Sequence, residues 1–393
     1  MSWPMVKLGD VCTINPRLPK NANPEQEVTF LAMAAVSEKG EISSQETRIL
    51  HETKKGFTYF ERGDVLLAKI TPCFENGKAT LTNNLNTQIG FGSTEFHVLR
   101  AFPDLILPEF IFYLVWNERF RIAAAKEMTG SAGQKRVSTD YLKEYKFYLP
   151  SIFEQEKIVA ALNKGYSIHR KRQQAIKLAD DFLRAKFLEM FGDPIENPKG
   201  WNVKPLADQI VHANNGISRR RKEDTNEGDI VLRLQDVHYS GIAFDKELNR
   251  IKLVDKEKQI ARVEHDDLLF IRVNGNPNYV GRTAVFKSYI EPVYHNDHLI
   301  RIKLDNEYQS DFLCYLINSP FSRKLIAQQI KTSAGQHTIS QDGILKLMFY
   351  RPPIELQEKF INIKNKIESI FYRKDKHEDL FASISNKLIH SIK

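Results

Sequence analysis

Ser131-Ala132-Gly133-Gln134-Lys135-Arg136-Val137-Ser138 is written a second time in this chain, as Ser333-Ala334-Gly335-Gln336-His337-Thr338-Ile339-Ser340. Gln134 and Gln336 stand 202 positions apart. Moving outward toward the C-terminus, Pro150-Ser151-Ile152-Phe153-Glu154-Gln155-Glu156-Lys157 meets Pro352-Pro353-Ile354-Glu355-Leu356-Gln357-Glu358-Lys359 at the same offset. Two blocks sharing one offset mark an internal repeat, which decides the architecture before any single element does. Toward the N-terminus the matches are weaker but keep their order. Trp3 answers Trp201, Leu8-Gly9-Asp10 answers Leu206-Ala207-Asp208, and Val36 with Gly40 answers Val237 with Gly241. Asp64 through Ile70 answers Asp267 through Val273, and Gly77-Lys78 answers Gly281-Arg282.

Each repeat has two parts. The first part, residues 1–150 or 193–350, mixes short apolar runs with Gly, Pro and Asn breaks. Leu66 through Ile70 and Leu268 through Val273 predict buried strands, and Phe110–Phe120 and Phe312–Ile326 predict helices. The fold class expected is α+β, with two repeated domains of mixed strands and helices. The second part, residues 151–192 or 351–393, has neither Pro nor a turn cluster from Glu154 to Phe191 and from Glu355 to Lys393, and predicts one long helix. In the C-terminal copy Phe360, Ile363, Ile367, Ile370, Lys374, His377, Phe381, Ile384 and Leu388 alternate spacings of three and four, the pattern of a coiled-coil seam. In the central copy Ile158, Leu162, Ala179 and Leu183 mark the same stripe more loosely, with Ile168, Ala175 and Phe182 on or near it. The polar interruptions, with Arg172 opposite Lys374 in the repeat, suit a register-fixing device or a solvated stretch of helix. A helix of this length, about 55 Å, cannot bury its stripe on one small domain. The two are therefore expected to pair antiparallel about a pseudo-twofold axis, with one domain at each end.

The chain has 393 residues, 42% hydrophobic and 27% charged, an ordinary globular balance. Its net charge of +8 favours polyanionic partners but specifies none. No apolar run is long enough to span a membrane and the start lacks a secretory pattern, so a cytoplasmic protein is expected. Cys12, Cys73 and Cys314 have no metal-ligand spacing and predict reduced thiols.

The doubled unit, each copy opening on a Trp…Leu-x-Asp run and closing on Pro-x-x-x-x-Gln-Glu-Lys before a long helix, resembles the type I restriction-modification specificity subunit. The junction Phe191-Gly192-Asp193-Pro194…Asn197-Pro198-Lys199-Gly200-Trp201 is similar to that family's. The resemblance implies two target-recognition domains, each reading half of a split site in double-stranded DNA. It also implies helices that dock modification (methyltransferase) subunits, joined by restriction (endonuclease and translocase) subunits. No cofactor is expected on this chain; S-adenosylmethionine, ATP and Mg would serve the partners. The alternatives are a specificity subunit for a fused nuclease-methyltransferase, a stand-alone methyltransferase or nuclease with two DNA-binding arms, and a scaffold binding only protein.

Catalytic patterns are weak. Asn276-Pro277-Asn278-Tyr279 resembles an adenine methyltransferase loop but lacks its second proline and any trace in the other repeat. Pro103-Asp104…Glu144-Tyr145-Lys146 spells a short nuclease pattern that reads better as a structural strand. No Gly-x-x-x-x-Gly-Lys-Ser/Thr loop is present to hold a nucleotide phosphate. DNA-binding candidates are clearer. Arg219-Arg220-Arg221-Lys222 is the densest cationic run and suits phosphate contacts. Lys69, Lys78, Arg272 and Arg282 recur at matching places beside Gly77 or Gly281, where glycine would let backbone approach a phosphate. Gln134 and Gln336 lie in the shared loop and suit phosphate or domain shaping. Lys135-Arg136, against His337-Thr338, differ between copies and suit base reading, as do Asn274 and Asn276.

Overall fold

The computed structural model describes residues 3–131, 133–218, 227–239, 241–244, 247–371 and 385–389. It comprises two compact units, residues 1–174 with 374–393 and residues 175–373. The architecture is α+β.

The apolar run Val65–Ala68 is wholly buried and forms a central strand of the first unit. Its antiparallel sheet runs Cys12–Ile14, Phe96–Ala101, Val65–Ala68, Ala79–Leu81. A strand buried on both faces reads as an unbroken apolar run, and its alternate residues serve two cores. Val65 and Leu67 face the core built on Phe110, Leu114 and Leu162, while Leu66 faces Leu31, Phe60 and Val98. A second sheet orders Glu46–Ile49, Glu27–Leu31, Ile89–Gly92 and Thr58–Glu61, with a parallel pair at its centre.

The second unit is built to the same plan. Its main sheet runs Ile210–Asn215, Leu299–Leu304, Leu268–Ile271, Thr283–Val285. Leu268 and Phe270 face one core, Leu269 and Ile271 another. Asp229–Leu232 and Val293–His295 form the equivalent parallel pair. Strands Met5–Lys7 with Lys146–Tyr148, and Val203–Pro205 with Met348–Tyr350, pair the two ends of each repeat.

The Pro-x-x-x-x-Gln motif has a structural cause. Gln155 is fully buried; its Oε1 accepts the Leu107 N–H at 2.8 Å, and its Nε2 donates to the carbonyls of Pro150 and Leu105 at 2.9 and 3.0 Å. Gln357 does the same with Gln309, Pro352 and Glu307. Each glutamine satisfies backbone groups that burial would otherwise leave unpaired, and so ties a long helix to its domain.

Two helix expectations change. Phe110–Phe120 is broken into Pro108–Trp116 and Glu118–Lys126, because the Asn117 side chain accepts the Arg119 N–H and starts a new helix. The second copy breaks into Ser310–Asn318 and Pro320–Gln329, where Pro320 takes a first-turn position that needs no N–H.

The central helix is continuous over 40 residues, Ile152–Phe191, and stops where Gly192 adopts φ 77°. Of its expected seam, Ile158, Leu162, Ala179 and Leu183 are buried and Arg172 is half-buried. Ile168 and Phe182 are exposed, off that stripe. Toward the C-terminus one helix spans Ile354–Phe371, and residues 385–389 are helical. Phe360 is buried, and Ile363, Ile367 and Leu388 are half-buried. Phe381 and Ile384, with Lys374 and His377, lie outside the described residues. Ile370 corrects the expected seam, being 67% exposed. The buried face runs through Gln357, Phe360, Ile361 and Lys364; at ~100° per residue Ile370 falls about 80° from Phe360 on the side away from Ile361. Among the described residues no helix is long and apolar enough to cross a membrane.

Candidate nucleic-acid interface

The repeated Ser-Ala-Gly-Gln loop is the tip of a β-hairpin. In the second unit Ile330–Ser333 pairs with Gln336–Ile339, and Ala334 and Gly335 adopt φ 47° and 76°. Two successive left-handed residues make the turn whose twist suits paired strands. Gln336 is thereby placed, exposed, at the tip. In the first unit Thr129 bridges Arg136, the Gln134 N–H bonds the Ser131 carbonyl at 3.0 Å, and Gln134 and Lys135 are exposed. Ala132 lies outside the described residues. The serine that ends each block, Ser138 or Ser340, caps the next helix by accepting the N–H of Tyr141 or Gly343.

Lys69 and Arg272 tie these hairpins to the main sheets. The Lys69 carbonyl accepts the Val137 N–H at 2.9 Å, and the Arg272 carbonyl accepts the Ile339 N–H at 2.9 Å. His97 adds a bond from Nε2 to the Val137 carbonyl at 2.9 Å, and its burial lowers its pKa. The Arg272 guanidinium donates to the Asp297 carbonyl at 3.1 Å. Strand Val273–Asn274 pairs with the hairpin so that Asn274 lies beside His337, whose Nδ1 is 2.9 Å from the Thr332 hydroxyl. Ile217 exchanges backbone hydrogen bonds with His295 and Asp297. Arg272, Asn274, Gln336, His337 and Ser218 are therefore neighbours or one link apart. Arg219, Arg220, Arg221 and Lys222, which follow Ser218, lie outside the described residues.

Residues 2–178 match the family model for the type I restriction modification DNA specificity domain. This part of the chain is therefore similar to a type I DNA specificity domain. It is 36% identical over 173 residues to the Escherichia coli EcoAI type I restriction enzyme specificity subunit, covering 44% of this chain and 29% of that one. The EcoEI specificity subunit of Escherichia coli is 37% identical over 163 residues, covering 41% and 27%. The matched stretch thus spans less than a third of the length of these relatives. The crystal structure of a type I restriction-modification S subunit from M. genitalium shares the fold across 99% of this chain and 95% of that one, at a TM-score of 0.59 and 15% identity.

Within residues 2–178 not every expected contact residue is free. Arg136 is held by Glu95 through two hydrogen bonds of 2.9 and 3.0 Å, and this pairing lowers the Glu95 pKa. Lys135 beside it is the exposed cation. Lys78 is half-buried, its Nζ 3.3 Å from the Met33 carbonyl. The glycines beside Lys78 and Arg282 are buried, which corrects their reading as points of phosphate approach. Gly77 and Gly281 adopt φ 81° and 76°, and a Cβ would meet Arg121 at 3.2 Å in one and Ile326 at 2.6 Å in the other. They are glycine because of packing and backbone conformation. Glu144 of the short nuclease pattern pairs with Lys7 at 2.8 Å.

Sequence reasoning missed the braces of the second unit's loop. Asn276 is exposed, and the Arg282 guanidinium lies 3.9 Å from the Tyr279 ring centre and 5.5 Å from that of Tyr239. Arg323 donates to the carbonyls of Val280 and Pro277 at 2.9 and 3.2 Å. Arg121 donates to the Glu75 carbonyl at 2.5 Å in the specificity domain. Burial lowers the pKa of both arginines. Their common offset of 202 was the available signal.

Proposed function

We propose that the chain is the DNA sequence-specificity subunit of a type I restriction-modification enzyme. Each unit reads one half of a split duplex site, and the long helices dock modification and restriction subunits. S-adenosylmethionine, ATP and Mg serve those partners, and this chain contributes recognition without chemistry of its own. The observation that carries this reading is the pairing of a shared scaffold with different outward groups. Both units keep the capped hairpin and the buried glutamine, yet present Lys135-Arg136 in one and His337-Thr338 beside Asn274 in the other. A reader of two unlike half-sites needs that combination.

The spacer in this proposal is an antiparallel pair of long helices. Two contacts, each inside its own unit, support it. In the first unit Ile389 is buried in the core that holds Ile158 and Leu162, near the start of the central helix. In the second, Phe360 packs edge-on against Phe187 and Phe191, at that helix's end, with ring centres 5.4 and 5.7 Å apart.

Titration of the full-length chain into duplex DNA at several salt concentrations tests the reading. Binding without methyl transfer or cleavage is expected. Replacing Arg219, Arg220, Arg221 and Lys222 with Ala should weaken matched and scrambled duplexes alike and reduce the salt slope by about 0.9 for each phosphate no longer neutralised. Turnover by the purified chain, or no binding to DNA, would refute it.

A further inference from the structure

Asparagines alternate through the second unit's loop at Asn274, Asn276 and Asn278. Asn274 Oδ1 accepts the Asn276 N–H at 2.9 Å, and Asn276 Oδ1 accepts the Asn278 N–H at 3.0 Å. A backbone N–H is satisfied only by an acceptor, so these two amides are oriented: oxygen into the loop, Nδ2 donors away from it. The loop's carbonyls are engaged as well. Asn276 O accepts from Tyr279, Asn278 O from Arg282 Nε at 3.0 Å, and Pro277 O and Val280 O from Arg323. Residues 275–279 are exposed, and the Arg282 guanidinium is stacked on Tyr279. The result is a braced, exposed loop whose side chains offer donors and which contains no carboxylate.

We propose that this loop is the base-reading element of the second unit and selects major-groove edges that present acceptors, guanine O6 and N7 first and thymine O4 second. The proposal rests on the DNA-reading function above. The bidentate contact to adenine needs a donor and an acceptor together, so a donor alone makes only one bond there, to N7, and cytosine offers an amine that needs an acceptor. Arg323, Tyr239 and Tyr279 are positioning residues, acting through the loop and Arg282. The first unit gives the contrast. There Arg121 braces the corresponding segment through the Glu75 carbonyl, Phe74 is buried, and the exposed side chains are Glu75, whose Oε1 accepts from the Thr71 hydroxyl at 2.9 Å, and Asn76. One brace thus carries asparagines without a carboxylate in the second unit and a mixed carboxylate and amide set in the first.

The test selects binding sites for the full-length chain from a pool of duplexes with randomised positions. The wild-type chain should enrich guanine or thymine at one or more positions of one half-site. Asn276→Asp keeps an oxygen for the Asn278 N–H, so the loop persists while its outward donor becomes an acceptor. Preference for guanine at one position should fall on the order of tenfold and move to cytosine, with the other half-site unchanged. Asn276→Ala should lose the preference without gaining cytosine. If folded Asn276→Asp and Asn278→Asp variants, checked by thermal melting, select the wild-type consensus in both halves, the loop does not read bases and the proposal fails. A wild-type chain that enriches no sequence would instead remove the DNA-reading function on which it rests.

Discussion

His295 is fully buried in the strand Val293–His295, and burial, with Arg301 adding, depresses its pKa to about 4. The unfolded chain would protonate this ring near pH 6.5. Between those values the unfolded state binds a proton that the folded state refuses, so stability falls as pH drops from about 6.5 toward 4. Replacing His295 with Asn removes that linkage. Thermal midpoints from pH 7 to 5 should fall less steeply in the variant; parallel curves would show that His295 does not carry the effect. Nothing in the sequence marks this residue, because a lone histidine reveals its environment only through the strands packed round it. Arg136 is a similar case: its pairing with Glu95, 41 positions away, could not be read from its basic side chain. Gln155 and Gln357 were visible as a repeated motif, yet their work of pairing buried backbone could not be read from spacing.

At the scale of elements, apolar pattern was a good guide where burial was two-sided. Val65–Ala68 and Leu268–Ile271 are the buried strands their composition implies. The helices were harder. Asn117 and Pro320 break what periodicity presents as single helices, because a cap or a first-turn proline outweighs a continuing apolar stripe. The seam shows how a strict heptad departs from a real helix. Its spacing of 3.5 against 3.6 residues per turn drifts about 20° per heptad, which adds about 30° to the offset that already separates alternate seam positions and leaves Ile370 on the exposed side. Two substitutions separate the buried face from the heptad. Leu162→Ala should cost about 2–5 kcal/mol, since Leu162 is fully buried. Ile370→Ala should stay within about 0.5 kcal/mol. Chemical denaturation of both variants checks this, and a large loss of stability at Ile370 would restore it to a packed seam.

For the molecule as a whole, the repeat was legible because two blocks kept one offset, and the two main sheets follow one strand order. What the repeat could not reveal is which side chains face outward, since that depends on hairpin and loop geometry. The central claim is that each unit reads its own half of a split site. Exchanging residues 1–150 for the corresponding segment of the EcoAI specificity subunit tests it most directly. Binding-site selection on the full-length chimera should return one altered half-site and one identical to the wild type's. If both halves change together, or neither does, the units do not read DNA independently and the claim is wrong.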